Sequence, residues 1–398
     1  MSFRYSTSFK IGETTRGVRI PVLFDTHTGI FNNRPPGILI TGQPGSGKTF
    51  LALTLATISG ILGKTTIILD PKGDFINLLN LEDQFPKLNI WNLTGTNNAG
   101  ILDPFYMANT PGERLSLVVN VVDMLVGGLS EEQQVAISPI IKDVLREPNP
   151  SLLKVTEQLR QRENNPAANA LGSQLDLAAN LAHAKLCFSP GNKKRQSFTL
   201  TEGVTVVTMA GLELPNESSA SGDPKKIPLK TRFSQTLFFL ITDYIRRVMN
   251  DDESKQPKVL IIDEAWAVIA TEAGAECIKS VSLLGRSKNI ALILVSQNNS
   301  HLQKLEIENT VSTRFAFKTS QKEATAIVTE MGLPENEGFE DIFMNLEPGE
   351  CMMRNWLEQY STIKVTDYNP VWRKAFATNP MDKIKREREK KKAQATKV

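Results

Sequence analysis

The segment Gly42-Gln43-Pro44-Gly45-Ser46-Gly47-Lys48-Thr49 lies between an apolar run, Gly37 to Thr41, and a helix-like run, Phe50 to Leu62. Few strings restrict a fold so tightly. A strand must deliver the chain to a glycine-rich turn, the turn must aim successive backbone N–H groups at one point, and a helix must start at once so that its amino-terminal dipole adds to them. The result is a cradle for phosphates, with Lys48 placed to reach the β- and γ-phosphates and Thr49 to ligate Mg²⁺. The candidate nucleotide-binding residues are therefore Gly42, Gln43, Pro44, Gly45, Ser46, Gly47, Lys48, Thr49 and Phe50, with ATP and Mg²⁺ as the expected ligands.

The rest of the chain repeats the alternation that such a loop needs. Short, mostly Ile, Val and Leu runs at Gly37 to Thr41, Thr66 to Leu69, Leu88 to Leu93, Val204 to Met209, Val259 to Ile262 and Ile290 to Ser296 read as strands buried on both faces. Stretches around Arg314 to Lys318, Glu350 to Arg354 and Thr362 to Val365 extend the sheet at its end. The fold class is α/β with a mostly parallel sheet. Between the third and fourth strands the period becomes helical. Ser130 and Gln133 make a capping-box pattern ahead of Ile137, Ile140, Ile141, Val144 and Leu145; Pro148 stops that helix, and others start near Ser151 and after Pro166. This divides the chain into a core domain (1–108 and 191–370), an inserted all-helical subdomain (109–190) and a basic carboxyl-terminal tail (371–398). A Ser-, Pro- and Lys-rich loop, 215–229, precedes a helix from Thr231 to Met249.

Two further strand ends carry chemistry. Val259 to Ile262 delivers Asp263 and Glu264 to the carboxyl edge of the sheet. Asp263 is expected to hold Mg²⁺ through water, and Glu264 to orient or deprotonate the attacking water in line with the γ-phosphorus. Ile290 to Ser296 ends at Gln297, beside the phosphate-loop strand, where an amide can sense the γ-phosphate or the water; a capping glutamine is the plainer alternative. Arg286 and Arg314 flank that strand and are candidates for cations inserted into a neighbouring subunit's site, or else surface salt-bridge residues. Asp70-Pro71-Lys72-Gly73-Asp74 reads as a turn at the same edge, whose charged triplet suggests a pocket wall.

Composition narrows the class. No apolar run approaches the length of a membrane span, and the amino terminus lacks a signal-peptide core. Cys187, Cys277 and Cys351, like His27, His183 and His301, are scattered without ligand spacing, so a reducing cytoplasmic setting and no protein-held transition metal are expected. The net charge is +3, but residues 383–398 hold eight Lys/Arg against two Glu, which leaves −3 for residues 1–382. DNA contact is thus not indicated by charge, although a local basic pore stays open.

In order along the chain, GQPGSGKT, the LDPKGD turn, LDPF at Leu102 to Phe105 followed by the helical insertion, LIIDEAW, and GRSKN leading to LILVSQ resemble the VirB-four/TrwK/TraC class of conjugative type IV secretion ATPases. The resemblance covers about residues 15–370. It implies a RecA-like P-loop NTPase core within the HerA/FtsK-like ATPases. It also implies a homo-hexamer as the active form, with a monomer open for the isolated chain, at the cytoplasmic face of the inner membrane among other secretion components, powering pilus assembly or substrate transfer. Family members usually carry a large amino-terminal domain that binds the channel; with the phosphate loop at residue 42, an excised motor domain or a short relative is expected. A DNA translocase or coupling protein, and an assembly module that uses ATP as a latch, are the alternatives.

Overall fold

The computed structural model describes residues 8–376 except 86, 95–98, 190–202, 213–223, 252–255, 298–301, 303–304, 336 and 367–369. The basic tail from 377, His301 and most of the loop read at 215–229 lie outside the described residues. Eleven strands form one sheet: β1 Phe9–Thr14, β2 Pro21–Phe24, β3 Gly37–Thr41, β4 Thr65–Asp70, β5 Leu88–Asn92, β6 Val204–Thr208, β7 Lys258–Ile262, β8 Ile290–Ser296, β9 Val311–Phe317, β10 Glu350–Arg354 and β11 Tyr360–Val365. Their spatial order is β2-β1-β11-β10-β9-β3-β8-β7-β4-β6-β5. From β9 to β5 every pairing is parallel, and from β9 outward to β2 every pairing is antiparallel.

The strand pattern explains why the central runs are apolar throughout. Side chains alternate faces, and both faces are covered. Leu39, Leu69, Leu260, Ile262, Leu292 and Leu294 join one core with the long helix Leu229–Asn250 and the inserted helices. Ile38, Ile40, Ile68, Ile261, Ile293 and Val295 join the other, under the P-loop helix Lys48–Ile61 and the terminal helix Pro370–Phe376. All nine strands expected from the sequence are present. The β1–β2 hairpin was not expected, because β1 buries only Ile11 and Gly12 and is held by pairing with the distant β11.

The helices Pro111–Val126, Glu131–Arg146, Leu152–Arg160 and Pro166–Ala179 occupy the stretch read as an insertion, the first two each opened by a full capping box. Their apolar stripes belong to the same buried cluster as the sheet face beneath them. Asp103 of the LDPF segment ties the two parts together. Fully buried, it accepts from the backbone N–H of Phe105 at 3.2 Å and, across the fold, from that of Leu152 at 3.3 Å, the first residue of an inserted helix. At the far end of the long helix, the buried Lys258 ammonium donates to the carbonyls of Val248, Met249 and Asp251 at 3.3, 3.0 and 2.9 Å, so the helix carboxyl end is closed by a cation.

Asp103→Ala removes that shared acceptor and leaves two N–H groups unpaired in a sealed site. The expected loss is roughly 2–4 kcal/mol of unfolding free energy. Urea denaturation followed by circular dichroism measures it, and a loss within experimental error would mean that the contact contributes nothing.

Candidate nucleotide site

The phosphate loop leaves β3 at Thr41 and enters the helix at Lys48. Gly42 and Gly47 take φ of 144° and 114°, and a Cβ at Gly42 would lie 2.6 Å from that of Phe317. Only glycine fits there. The loop is gripped from one side of the sheet: Gln43 N donates to Lys318 O, and Gly349 N donates to Ser46 O, both at 2.8 Å. Within it, Ser46 Oγ and Lys48 Nζ both donate to Gln43 O, at 2.7 and 2.8 Å. Gln43, Pro44 and Gly45 face solvent. Phe50 packs edge-to-face on Phe376 at 5.6 Å, so its ring anchors the terminal helix beside the loop. The grip by Lys318 and Gly349 was missed from the sequence; the Pro348-Gly349 pair was its one visible signal.

Because β3, β8, β7 and β4 are parallel neighbours, their carboxyl ends finish together. Asp263 and Glu264 leave β7 there, with Gln297 from β8 on one flank and the Asp70–Asp74 turn from β4 on the other. Gln297 Nε2 donates to Glu264 Oε1 at 2.6 Å, and Trp266 Nε1 donates to Oε2 at 2.6 Å. Lys72 ion-pairs with the same Oε1. Glu264 itself has φ 47° and ψ 52°, a left-handed conformation that costs a non-glycine residue on the order of 1 kcal/mol. Asp70 organises the turn that carries Lys72, accepting from Gly73 N at 2.8 Å, Asp74 N at 3.2 Å and Phe75 N at 2.9 Å. The charged triplet is therefore divided: Asp70 accepts from the backbone of the turn, and Lys72 reaches Glu264.

The electrostatics follow from burial. Asp263, 2% exposed, is pushed up to about 7 by desolvation and then by the charges of Glu264, Asp70 and Asp74, with Lys72 opposing. Burial likewise raises Asp70 to about 6, against its backbone donors. It lowers Lys48 to about 8, against the pull of Glu264 and Asp263. Burial would also raise Glu264, but hydrogen bonds from Lys72 and Gln297, Lys72's charge and the Trp266 indole hold it below the usual carboxylate range. Four carboxylates thus face two ammonium groups. A Thr49 hydroxyl and the Asp263 carboxylate are hard oxygen donors, and that surplus of negative charge fits a divalent cation of the Mg²⁺ type bound jointly with phosphate oxygens.

The two arginines separate. Arg286 is exposed, beyond the helix Glu272–Leu284 and ahead of β8, and its Nη1 donates to Asn33 O at 3.5 Å. It lies at the amino-terminal edge of the sheet, opposite the phosphate loop. Arg314 follows the salt-bridge alternative, although buried rather than at the surface. It sits inside β9, 7% exposed, with Nη1 3.6 Å from Glu330 of its own chain. A guanidinium buried and paired in this way has no head to offer a neighbour.

The chain matches the AAA-like domain family over residues 26–376 and belongs to it. In fold it is similar to VirB4 of Thermoanaerobacter pseudethanolicus, with TM-score 0.68 and 19% identity, covering 94% of this chain and all of that one. It is also similar to the bacterial conjugative coupling protein TrwBΔN70, with TM-score 0.55 and 13% identity, covering 89% of this chain and 88% of that one. The fold is therefore the P-loop NTPase fold that the motifs imply. Uncharacterized protein YddE of Bacillus subtilis (strain 168) is 23% identical over 370 residues, 87% of this chain and 43% of that protein. This chain spans less than half the length of that relative.

The raised Asp263 has a consequence for stability. Its folded-state value of about 7 exceeds the ordinary 3.8, so between those limits the native state binds the extra proton and stability falls as pH rises. Without metal or nucleotide, Asp263→Asn is expected to stabilise the protein by roughly 1–3 kcal/mol at pH 8 and by little at pH 4. Thermal unfolding of both proteins across that range reads the difference. An equal offset at both ends would refute a raised Asp263.

Proposed function

We propose that this chain is the ATP-hydrolysing motor of a conjugative type IV secretion apparatus, binding Mg-ATP on residues 42–50. The observation that carries this reading is the meeting of Lys48, Asp263, Glu264 and Gln297 at one sheet edge, in a fold similar to VirB4. Lys48, resting on Gln43 O, would exchange that carbonyl for the β- and γ-phosphates, and the loop amides would take the remaining oxygens. Thr49 and Asp263 would hold Mg²⁺, which when bound screens the phosphate charge. Glu264 would accept the proton of the attacking water, and Gln297 would position both. Glu264→Gln should bind ATP as the parent does and cleave it roughly a hundredfold more slowly or worse. Loss of binding in that variant would instead make Glu264 part of the metal or structural shell. Likeness to TrwBΔN70 favours a second reading, a DNA-directed motor. ATP turnover with and without DNA separates the two, because only the second demands stimulation.

Assembly as a hexamer, peripheral to the inner membrane through partner proteins, completes the proposal, with Arg286 as the cation donated between subunits. β8 has seven residues, which at about 3.3 Å each separate Arg286 from its own site by roughly 23 Å, beyond the reach of a side chain. Arg286→Ala should leave nucleotide affinity unchanged and cost on the order of a thousandfold in turnover of the assembled protein. Specific activity of the parent should rise with concentration. Arg286→Ala mixed with excess Glu264→Gln should regain activity, since the second protein carries an intact arginine. Flat concentration dependence with no complementation would remove the inter-subunit role.

A further inference from the structure

Resting on the reading of Glu264 as the base, we propose that Lys72 is a latch that holds the Glu264 carboxylate out of use and limits turnover until it lets go. The observation is the distribution of donors and exposure around that one side chain. A carboxylate offers about four acceptor positions, and three are filled here: two donors converge on Oε1, from Lys72 and Gln297, and Trp266 takes Oε2. The Glu264 side chain is only 6% exposed, so an arriving water competes with these donors for the carboxylate.

The three donors are not equally removable. Trp266 belongs to the short helix that Glu264 itself caps, and Gln297 directly follows β8, so neither can leave without shifting the sheet edge. Lys72 stands on the Asp70-capped turn with its side chain 45% exposed, and its ammonium can move into solvent at small cost. Lys72 is thus the donor that an arriving water displaces. Its contact is a charge-assisted hydrogen bond to a buried oxygen, stronger than the neutral bond a water makes in its place. The turn is stiff: Gly73 has φ 84°, and a Cβ there would meet Ala210 Cβ at 3.2 Å. Lys72 is a positioning residue in this scheme, acting only through Glu264.

Steady-state ATP turnover of the full chain tests the latch, with kcat and KM measured separately for the parent, Lys72→Ala, Lys72→Met, Lys72→Arg, Glu264→Gln and the double variant Lys72→Ala/Glu264→Gln. Removing the Lys72 contact from Oε1, with Gln297 still in place, should raise kcat on the order of three- to tenfold, the scale of one lost charge-assisted contact, with KM little changed. Lys72→Arg keeps a cation on the turn and should fall back toward the parent. The gain should vanish in the double variant. A lowered or unchanged kcat in both Lys72→Ala and Lys72→Met, with Glu264→Gln still inactive, overturns the latch alone. A fully active Glu264→Gln protein overturns the base assignment and the latch with it.

Discussion

A sheet of parallel strands ends its backbone dipoles and its side chains along one edge, and this chain crowds that edge with charge. Asp70, Asp74, Asp263 and Glu264 meet Lys48 and Lys72 there, and desolvation penalises the ionised forms of Asp70, Asp263 and Lys48. The arrangement persists only because the apolar strands behind it are sealed on both faces, and because backbone and side-chain donors are fixed before any ligand arrives. On the proposed reading, a divalent metal and a triphosphate would compensate this otherwise unfavourable cluster. Stability is given up locally so that binding can restore it.

Much of this was legible from residue order alone. The strand ends at Thr41, Ile262 and Ser296 are marked by apolar runs that stop at polar residues, and parallel packing then forces Lys48, Glu264 and Gln297 to one edge. Lys72 was legible only as a charged turn residue. Its ion pair spans 192 positions, and no local pattern encodes which carboxylate a flexible ammonium selects. Arg314 was misleading for a related reason: a cation in a strand reads as surface, whereas Glu330 supplies a partner that lets it be buried. The β1–β2 hairpin left no signal because its stability comes from β11, at the other end of the chain.

The segments flanking the site have separate tasks. LDPF serves no chemistry at the loop; Asp103 fastens the helical insertion to the core by capping a helix 49 residues away. The DPKGD turn serves both ends, since Asp70 beneath fixes the backbone that holds Lys72 above. Motif residues of one type, buried aspartates beside a proline, are thus used twice as acceptors for backbone N–H groups rather than as acids. Their burial marks the difference, and sequence spacing alone does not carry it.

Any movement driven from the site must pass through the few contacts that join it to the rest of the sheet. The phosphate loop touches the antiparallel half through Lys318 O and Gly349 N, and Gly349 O in turn accepts from Val365 N of β11, which pairs with β1. On the other side Gln297 and Lys72 link the acid pair to β8 and β4. The adjacent strands β3, β8 and β7 are buried throughout and resist deformation. Side chains and turns at the edge are therefore where a nucleotide can act first: Lys48 leaving Gln43, the Gly349 contact tightening or slackening on Ser46, and Lys72 leaving Glu264. On the proposed reading both Lys48 and Lys72 are cations that would exchange a protein oxygen for another partner, so the charge of bound phosphates would be felt at both before any strand moved.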